Sequence, residues 1–207
     1  MTFPLAGDVP VLTAPCQMAS GRIVDLANLT ADDIHFPDIV EALSKIPRFN
    51  GATPHVTYTV AQHCCLMHDR ADERHRAAAL LADFHAAYLG EPTRPFLGLA
   101  AQLSGDPDIF MDHVREARDT VTAAIYAAAR VPVELSDAAL LDQLSYLSAL
   151  DKTLTATEVR DLMATCRRPG HWRLPEPFPQ SVKAWGPDKA RGELIKRLGL
   201  IGVPVRG

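Results

Sequence analysis

The stretch 73–89, ERHRAAALLADFHAAYL, most constrains what this chain can become. Ala, Leu, Arg and Glu make it a strong helix former. A helix so rich in apolar residues must be buried against other elements. Yet Asp83 stands in the middle of it. An ionised carboxylate in such surroundings costs several kcal/mol unless it is paired or coordinates a metal. Either Asp83 lies on an exposed seam beside Glu73-Arg74, or it forms one wall of a site. Gly90, Pro92 and Pro95 are expected to end this helix.

The rest of the chain reads as helical from about residue 36. Pro37 suits the first position of a helix running to about Ile46. Pro47, Asn50-Gly51 and Pro54 make a loop. Thr59-Val60-Ala61-Gln62 has the capping-box pattern and opens a helix with His63 in its first turn. A long helix should open at Asp106-Pro107 and run to Arg130, where Val131-Pro132 stops it. Another is expected over 136–165 with a Ser136 cap, and a last one from Gly186-Pro187 to about Leu198, with 169–179 as a Pro-rich loop between them. Residues 1–30 are rich in Pro, Gly and Thr, and Ser20-Gly21-Arg22 is a turn between two short β-branched pieces. The expected architecture is all-α: one helical domain over 36–207, with a short irregular or β N-terminal arm over 1–35.

A chain of 207 residues can bury roughly 70% of its unfolded surface. Its 47% hydrophobic and 22% charged residues exclude whole-chain disorder. The net charge of −4, with no basic stripe, argues against duplex nucleic acid and anionic membranes as partners. One small phosphorylated ligand, held by one or two local cations, remains compatible. Cys16, Cys64, Cys65 and Cys166 form no C-x-x-C pair, so neither a disulfide framework nor a zinc ribbon is expected. Free thiols fit a reducing compartment. No apolar stretch reaches the ~18 residues of a membrane span, and the first residues lack the basic start and apolar core of a signal peptide. A cytoplasmic location is expected.

Two further polar residues fall on apolar faces. In the helix over 136–165, Leu140, Leu144 and Leu147 share a face, and Asp151 continues it before Leu154. Glu158 follows Asp151 one heptad later. The plain alternative is a solvated Asp151 paired with Lys152 or Arg160. His63 shares a face with Val60 and Met67, where a histidine bonded to a carbonyl is the common case. Taken together, His63, Asp83 and Asp151 offer one imidazole and two carboxylates from three helices, reasonable ligands for Mn, Fe, Co or Mg.

The segments around these residues resemble the HD-domain phosphohydrolase superfamily, in the branch similar to 5′-deoxynucleotidases and related bacterial nucleotide phosphohydrolases. The resemblance runs through Ser20-Gly21-Arg22-Ile23-Val24-Asp25-Leu26, 38–44 (DIVEALS), Arg48-Phe49-Asn50-Gly51 and Tyr58-Thr59-Val60-Ala61-Gln62-His63. It continues through 80–91 (LLADFHAAYLGE), Ala149-Leu150-Asp151 and 156–162 (ATEVRDL). It implies a divalent cation (Mn, Co, Fe or Mg) on His63, Asp83 and Asp151, a substrate phosphate on Arg48, and Glu91 near the reacting water. Arg94 would offer a second cation, or simply lie exposed in a loop. The implied reaction is hydrolysis of the phosphate ester of a small (deoxy)nucleotide by metal-activated water.

Two departures weigh against turnover. Ala82 stands where the family has the histidine of its His-Asp pair, and Ala86 where it has an acid, usually Glu. Losing even an outer-shell contact typically costs about 10–100-fold in metal affinity, and losing a general acid or base about 10²–10⁴ in rate. Three explanations stay open. Ala82 and Ala86 mark a natural non-catalytic relative, or a deliberate inactivation, or His85 replaces the missing ligand. The last requires a side chain roughly 200° around the helix from Asp83 to turn inward. The expectation is therefore a phosphohydrolase scaffold, impaired or inactive in this chain. Its rival is a non-catalytic nucleotide-binding or regulatory module. Val114, Val121, Ile125 and Ala128 on the long helix present a candidate homodimer face, against ordinary core packing. His68, His75, His113 and His171 have no motif spacing and are expected at the surface or in packing.

Overall fold

A computed structural model describes residues 12–131, 137–168 and 173–205. The expected Ser136 cap and His171 lie outside the described residues. Two short antiparallel strands, β1 (Pro15–Gln17) and β2 (Ile23–Asp25), pair Cys16 with Val24. They are followed by α1 (Phe36–Leu43), α2 (Val60–Arg70), α3 (Arg76–Leu81), α4 (Ala86–Leu89), α5 (Arg94–Leu103), α6 (Pro107–Ala129), α7 (Asp137–Leu162) and α8 (Pro187–Leu200). The all-α expectation with a β arm holds. Among the described residues no helix is long and apolar enough to cross a membrane.

The centre is α2. Every residue from Val60 to His68 is buried, so this helix is enclosed on all sides. It packs on α1, α3, α7 and α8. Around it Ile39, Leu43, Leu80, Leu81, Phe84, Ile125, Leu154, Leu194 and Leu198 are shut off from solvent. The hairpin joins the same core through Met18 and Val24. Asp38 of α1 fastens it, accepting from the Ser20 amide and hydroxyl at 2.7 Å each.

Four local expectations are corrected. The stretch 73–89 is not one helix: a 3₁₀ turn at Glu73–His75 precedes α3, and residues 82–85 form a turn before α4. Phe84 bonds back to Leu81, and Ala86 to Asp83, at the tight three-residue spacing. Helix propensity is overridden where Asp83 is drawn to charged partners. Pro95 does not close a helix but sits in the first turn of α5, whose Phe96 amide is capped by Thr93. The Thr59–Gln62 capping box is half formed: the Thr59 hydroxyl accepts from the Gln62 amide at 3.3 Å. The Gln62 side chain instead spans to Lys183 O and Trp185 N, at 2.8 Å each, and pins the segment before α8. On α7, Leu147, Leu150 and Leu154 are buried, but Leu144 is exposed, so the apolar stripe begins later than expected.

On α6, Val121 and Ile125 are core residues, while the first half of the helix is largely solvated. That face is therefore mostly ordinary packing. His68 and His75 are buried, His75 stacking on Tyr146 with ring centroids 4.2 Å apart, and His113 is exposed.

Candidate functional site

Residues 47–59 form a closed loop that delivers Arg48 to the core. The Arg48 amide donates to Tyr58 O at 2.9 Å, and the Val60 amide to Ile46 O at 3.0 Å. Phe49, Asn50 and Gly51 follow with φ of 53°, 52° and 73°. Left-handed backbone at two non-glycine residues costs roughly 1–2 kcal/mol each. This sharp turn sends the chain back to solvent immediately after Arg48, whose side chain stays inside.

The three residues singled out from separate helices do meet. His63 Nε2 lies 3.2 Å from Asp83 Oδ2 and 3.4 Å from Asp151 Oδ1. Arg48 reaches the same carboxylates, at 3.5 Å from Asp83 and 3.9 Å from Asp151, and Glu91 at 3.3 Å. The side chains of His63 and Glu158 are at most 1% exposed and that of Arg48 is 9%, whereas Asp83 is 27%, Glu91 25% and Asp151 32%. The cluster thus has a closed floor and an open mouth lined by carboxylates. Arg94 stands at that mouth, 74% exposed, with Nη2 3.9 Å from Asp151 Oδ2. It belongs to the first turn of α5 rather than to a loop.

The residue that sequence reasoning left without a role is Glu158. Its Oε1 accepts from His63 Nδ1 at 2.6 Å and from the Tyr58 hydroxyl at 2.5 Å. Its Oε2 lies 3.3 Å from Arg48 Nε. The signal was its place one heptad after Asp151, which sets both on the same face of α7. Thr155, between them, accepts from Arg48 Nη2 and donates to Asp151, both at 3.3 Å.

Electrostatics follow from this enclosure. Burial alone would raise the Glu158 pKa, but Arg48 and His63 outweigh it and hold the carboxylate below its ordinary range. Burial and Arg48 oppose a charge on His63, but Glu158, Asp151 and Asp83 prevail and raise its pKa well above the usual value. Asp83 is pushed up by burial and pulled further down by His63 and Arg48. Glu91 is raised, by burial and then by neighbouring Asp83. Burial drives the Cys64 thiol upward, so this neighbour of His63 packs as a protonated apolar residue.

Does this set suit a divalent cation? Among the described residues no three His, Cys, Asp or Glu side chains already stand as a metal cage. Here they are drawn together as an ion-paired cluster. Two observations nevertheless fit a cation. His63 Nε2 is buried without a well-formed hydrogen bond, although two carboxylate oxygens are close. With Nδ1–H committed to Glu158, Nε2 faces those oxygens either as N–H⁺ or as a lone pair that needs a cation between. A carboxylate-oriented imidazole is the usual outer support of a histidine ligand. Moreover, four carboxylates crowd two buried cationic groups, Arg48 and His63. One nitrogen and two oxygens suit Mn, Fe, Co or Mg.

Ala82 and Ala86 contribute only methyl groups. Ala82 is half-buried, and Ala86 is fully buried in the apolar core. His85 folds back on its own turn, Nδ1 donating to Ala82 O at 3.1 Å, and burial lowers its pKa. Its Nδ1 is thus engaged on the backbone rather than on the carboxylates of the cluster.

No known family profile matches the chain. It is similar to an uncharacterized protein of Rhodobacter capsulatus, 39% identical over 87 residues. That match covers 38% of this chain and 44% of the relative, so the chain spans less than half the length of the curated relative it matches.

Proposed function

We propose that the chain is a phosphohydrolase scaffold of the HD type for small (deoxy)nucleotides, binding one divalent cation on His63, Asp83 and Asp151 and turning over weakly or not at all. The observation that carries this reading is the convergence of those three side chains at 3.2–3.4 Å around a buried imidazole nitrogen. Bound there, a divalent ion lowers the pKa of a water and polarises a phosphate oxygen. Glu158 fixes the His63 ring through Nδ1 and leaves Nε2 aimed at the mouth. Glu91, its pKa raised, is the group able to hold a proton near the mouth.

Arg48 is less accessible than a phosphate contact needs. Its donors are directed at Glu91, Thr155 and the aspartates, so a phosphate must displace a carboxylate to reach it. Arg94, exposed at the rim, meets an incoming phosphate first.

The absence of donors at Ala82 and Ala86 favours a second reading, a non-catalytic nucleotide-binding or regulatory module. Both readings are tested together by adding Mn or Co and a panel of deoxynucleoside monophosphates to purified protein. Phosphate release supports the enzyme and removes the module. Nucleotide-dependent thermal stabilisation without metal uptake or release supports the module and removes the enzyme.

A further inference from the structure

We infer that the chain carries a second, separate binding site for a phosphate or phosphate monoester, in a cleft where α2, α3, α6 and α8 end or begin. The cleft, of about 410 Å³, is lined by His68, Arg76, Arg130, Glu73 and an apolar wall that includes Val131 and Ile201. It is independent of the central cluster.

His68 is the built part of the site. It is only 7% exposed, yet it lines the cleft. Its Nδ1 donates to Asp69 Oδ1 at 3.0 Å. Asp69 is in turn clamped by Arg197, through Nε at 2.8 Å and Nη2 at 2.5 Å. The burial of Asp69 is outweighed by Arg197 and His68, so its carboxylate stays ionised and acts as acceptor. The imidazole is therefore locked in orientation, and Nε2 has no partner among the described residues. A neutral ring accepts there from a P–O–H group, and a charged ring donates to P–O⁻; phosphate satisfies both.

Two guanidinium groups share the cleft. Arg76 and Arg130 make no ion pair among the described residues. Arg130 caps α6 with φ 55° and ψ 31°, a left-handed position where glycine is the ordinary choice. An arginine there accepts backbone strain, and its side chain lines the cleft. Among the described residues Glu73 is the one acid of the lining, and no ion pair joins it to either arginine. Arginine is suited to bidentate phosphate recognition. The apolar wall would take the organic part of a monoester.

The test is titration of the purified chain with inorganic phosphate in EDTA, followed by amide NMR shifts and calorimetry. One phosphate should bind per chain, with shifts at residues 68, 76, 130 and 201 and not at 63, 83 or 151. Chelation separates this site from the central one, where phosphate would depend on a cation. Arg130→Gly relieves the left-handed strain, so it should melt at or above the wild-type temperature. It should nonetheless bind phosphate about tenfold or more weakly, the loss expected for a charge-assisted hydrogen bond. Arg76→Gln should weaken binding similarly. Wild-type affinity in both folded variants, or no saturable binding in EDTA, would overturn the site.

Discussion

Glu158 and His63 are joined at 2.6 Å in a part of the molecule closed to solvent, 95 residues apart along the chain. This contact ties α7 to α2 and sets the imidazole that faces Asp83 and Asp151. Breaking a buried charge pair by removing one partner typically costs about 3–5 kcal/mol. Glu158→Gln should lower unfolding stability by an amount in that range, read by urea denaturation. A loss below about 0.5 kcal/mol, the usual size of a surface change, would mean the pair is incidental.

Tyr58 donates to the same Glu158 oxygen at 2.5 Å and is fully buried. Tyr58→Phe keeps the ring and removes the donor. A hydrogen bond to a charged group contributes about 1.5–3 kcal/mol. The variant should fall by that amount in stability, less than Glu158→Gln does, and its core should stay intact by near-UV circular dichroism. An unchanged denaturation midpoint would count against the Tyr58–Glu158 bond.

Several carboxylates titrate below their ordinary range. Asp25 is lowered to about 2, first by the Ala14 amide and then by Asn28. Asp38 is lowered although burial opposes it, through Ser20 and His35. Asp69 follows the same pattern with Arg197. A depressed folded pKa means that the folded state binds fewer protons than the unfolded one. The stability these groups contribute is complete above the unfolded value of about 3.9. It is lost as pH falls through the folded values, to about 2 for Asp25. Denaturation midpoints should therefore drop below pH 4. Asp25→Asn should shallow the drop; an identical acid limb would contradict the assignment.

On the proposed phosphohydrolase reading, Ala82→His with Ala86→Glu should bring metal-dependent phosphate release from deoxynucleoside monophosphates. Ala82 lies half-buried on the turn beside Asp83. Ala86 is fully enclosed, so its glutamate is the harder graft. Ala82→His alone should therefore be made beside the pair, with folding checked by thermal melting. A folded pair with no release above the parent chain would refute the placement of the chemistry.

Much of this was legible in the sequence because burial and charge conflict there openly. Asp83 in an Ala/Leu run, Asp151 after Leu147 and His63 between Val60 and Met67 each marked a polar group on an apolar face, and the three meet. Glu158 was visible only as a heptad partner of Asp151, since its role depends on α2 lying across α7. The turn at 82–85 was hidden, because local propensity favours helix and the opposing force comes from His63 and Arg48, distant in sequence. Pro95 misled for a different reason: proline ends one helix as readily as it starts another, and the Thr93 cap decides which. Arg48 sat in a loop, and only the left-handed turn at Phe49 and Asn50 explains its burial.

The central claim is that His63, Asp83 and Asp151 hold one divalent cation. Electron paramagnetic resonance of the purified chain with Mn(II) tests it most directly. The account predicts one bound ion per chain, a ¹⁴N coupling from a single imidazole that disappears in His63→Gln, and binding weakened in Asp83→Asn and Asp151→Asn. Mn(II) that stays free in solution, or that binds with the same spectrum in all three variants, would contradict it.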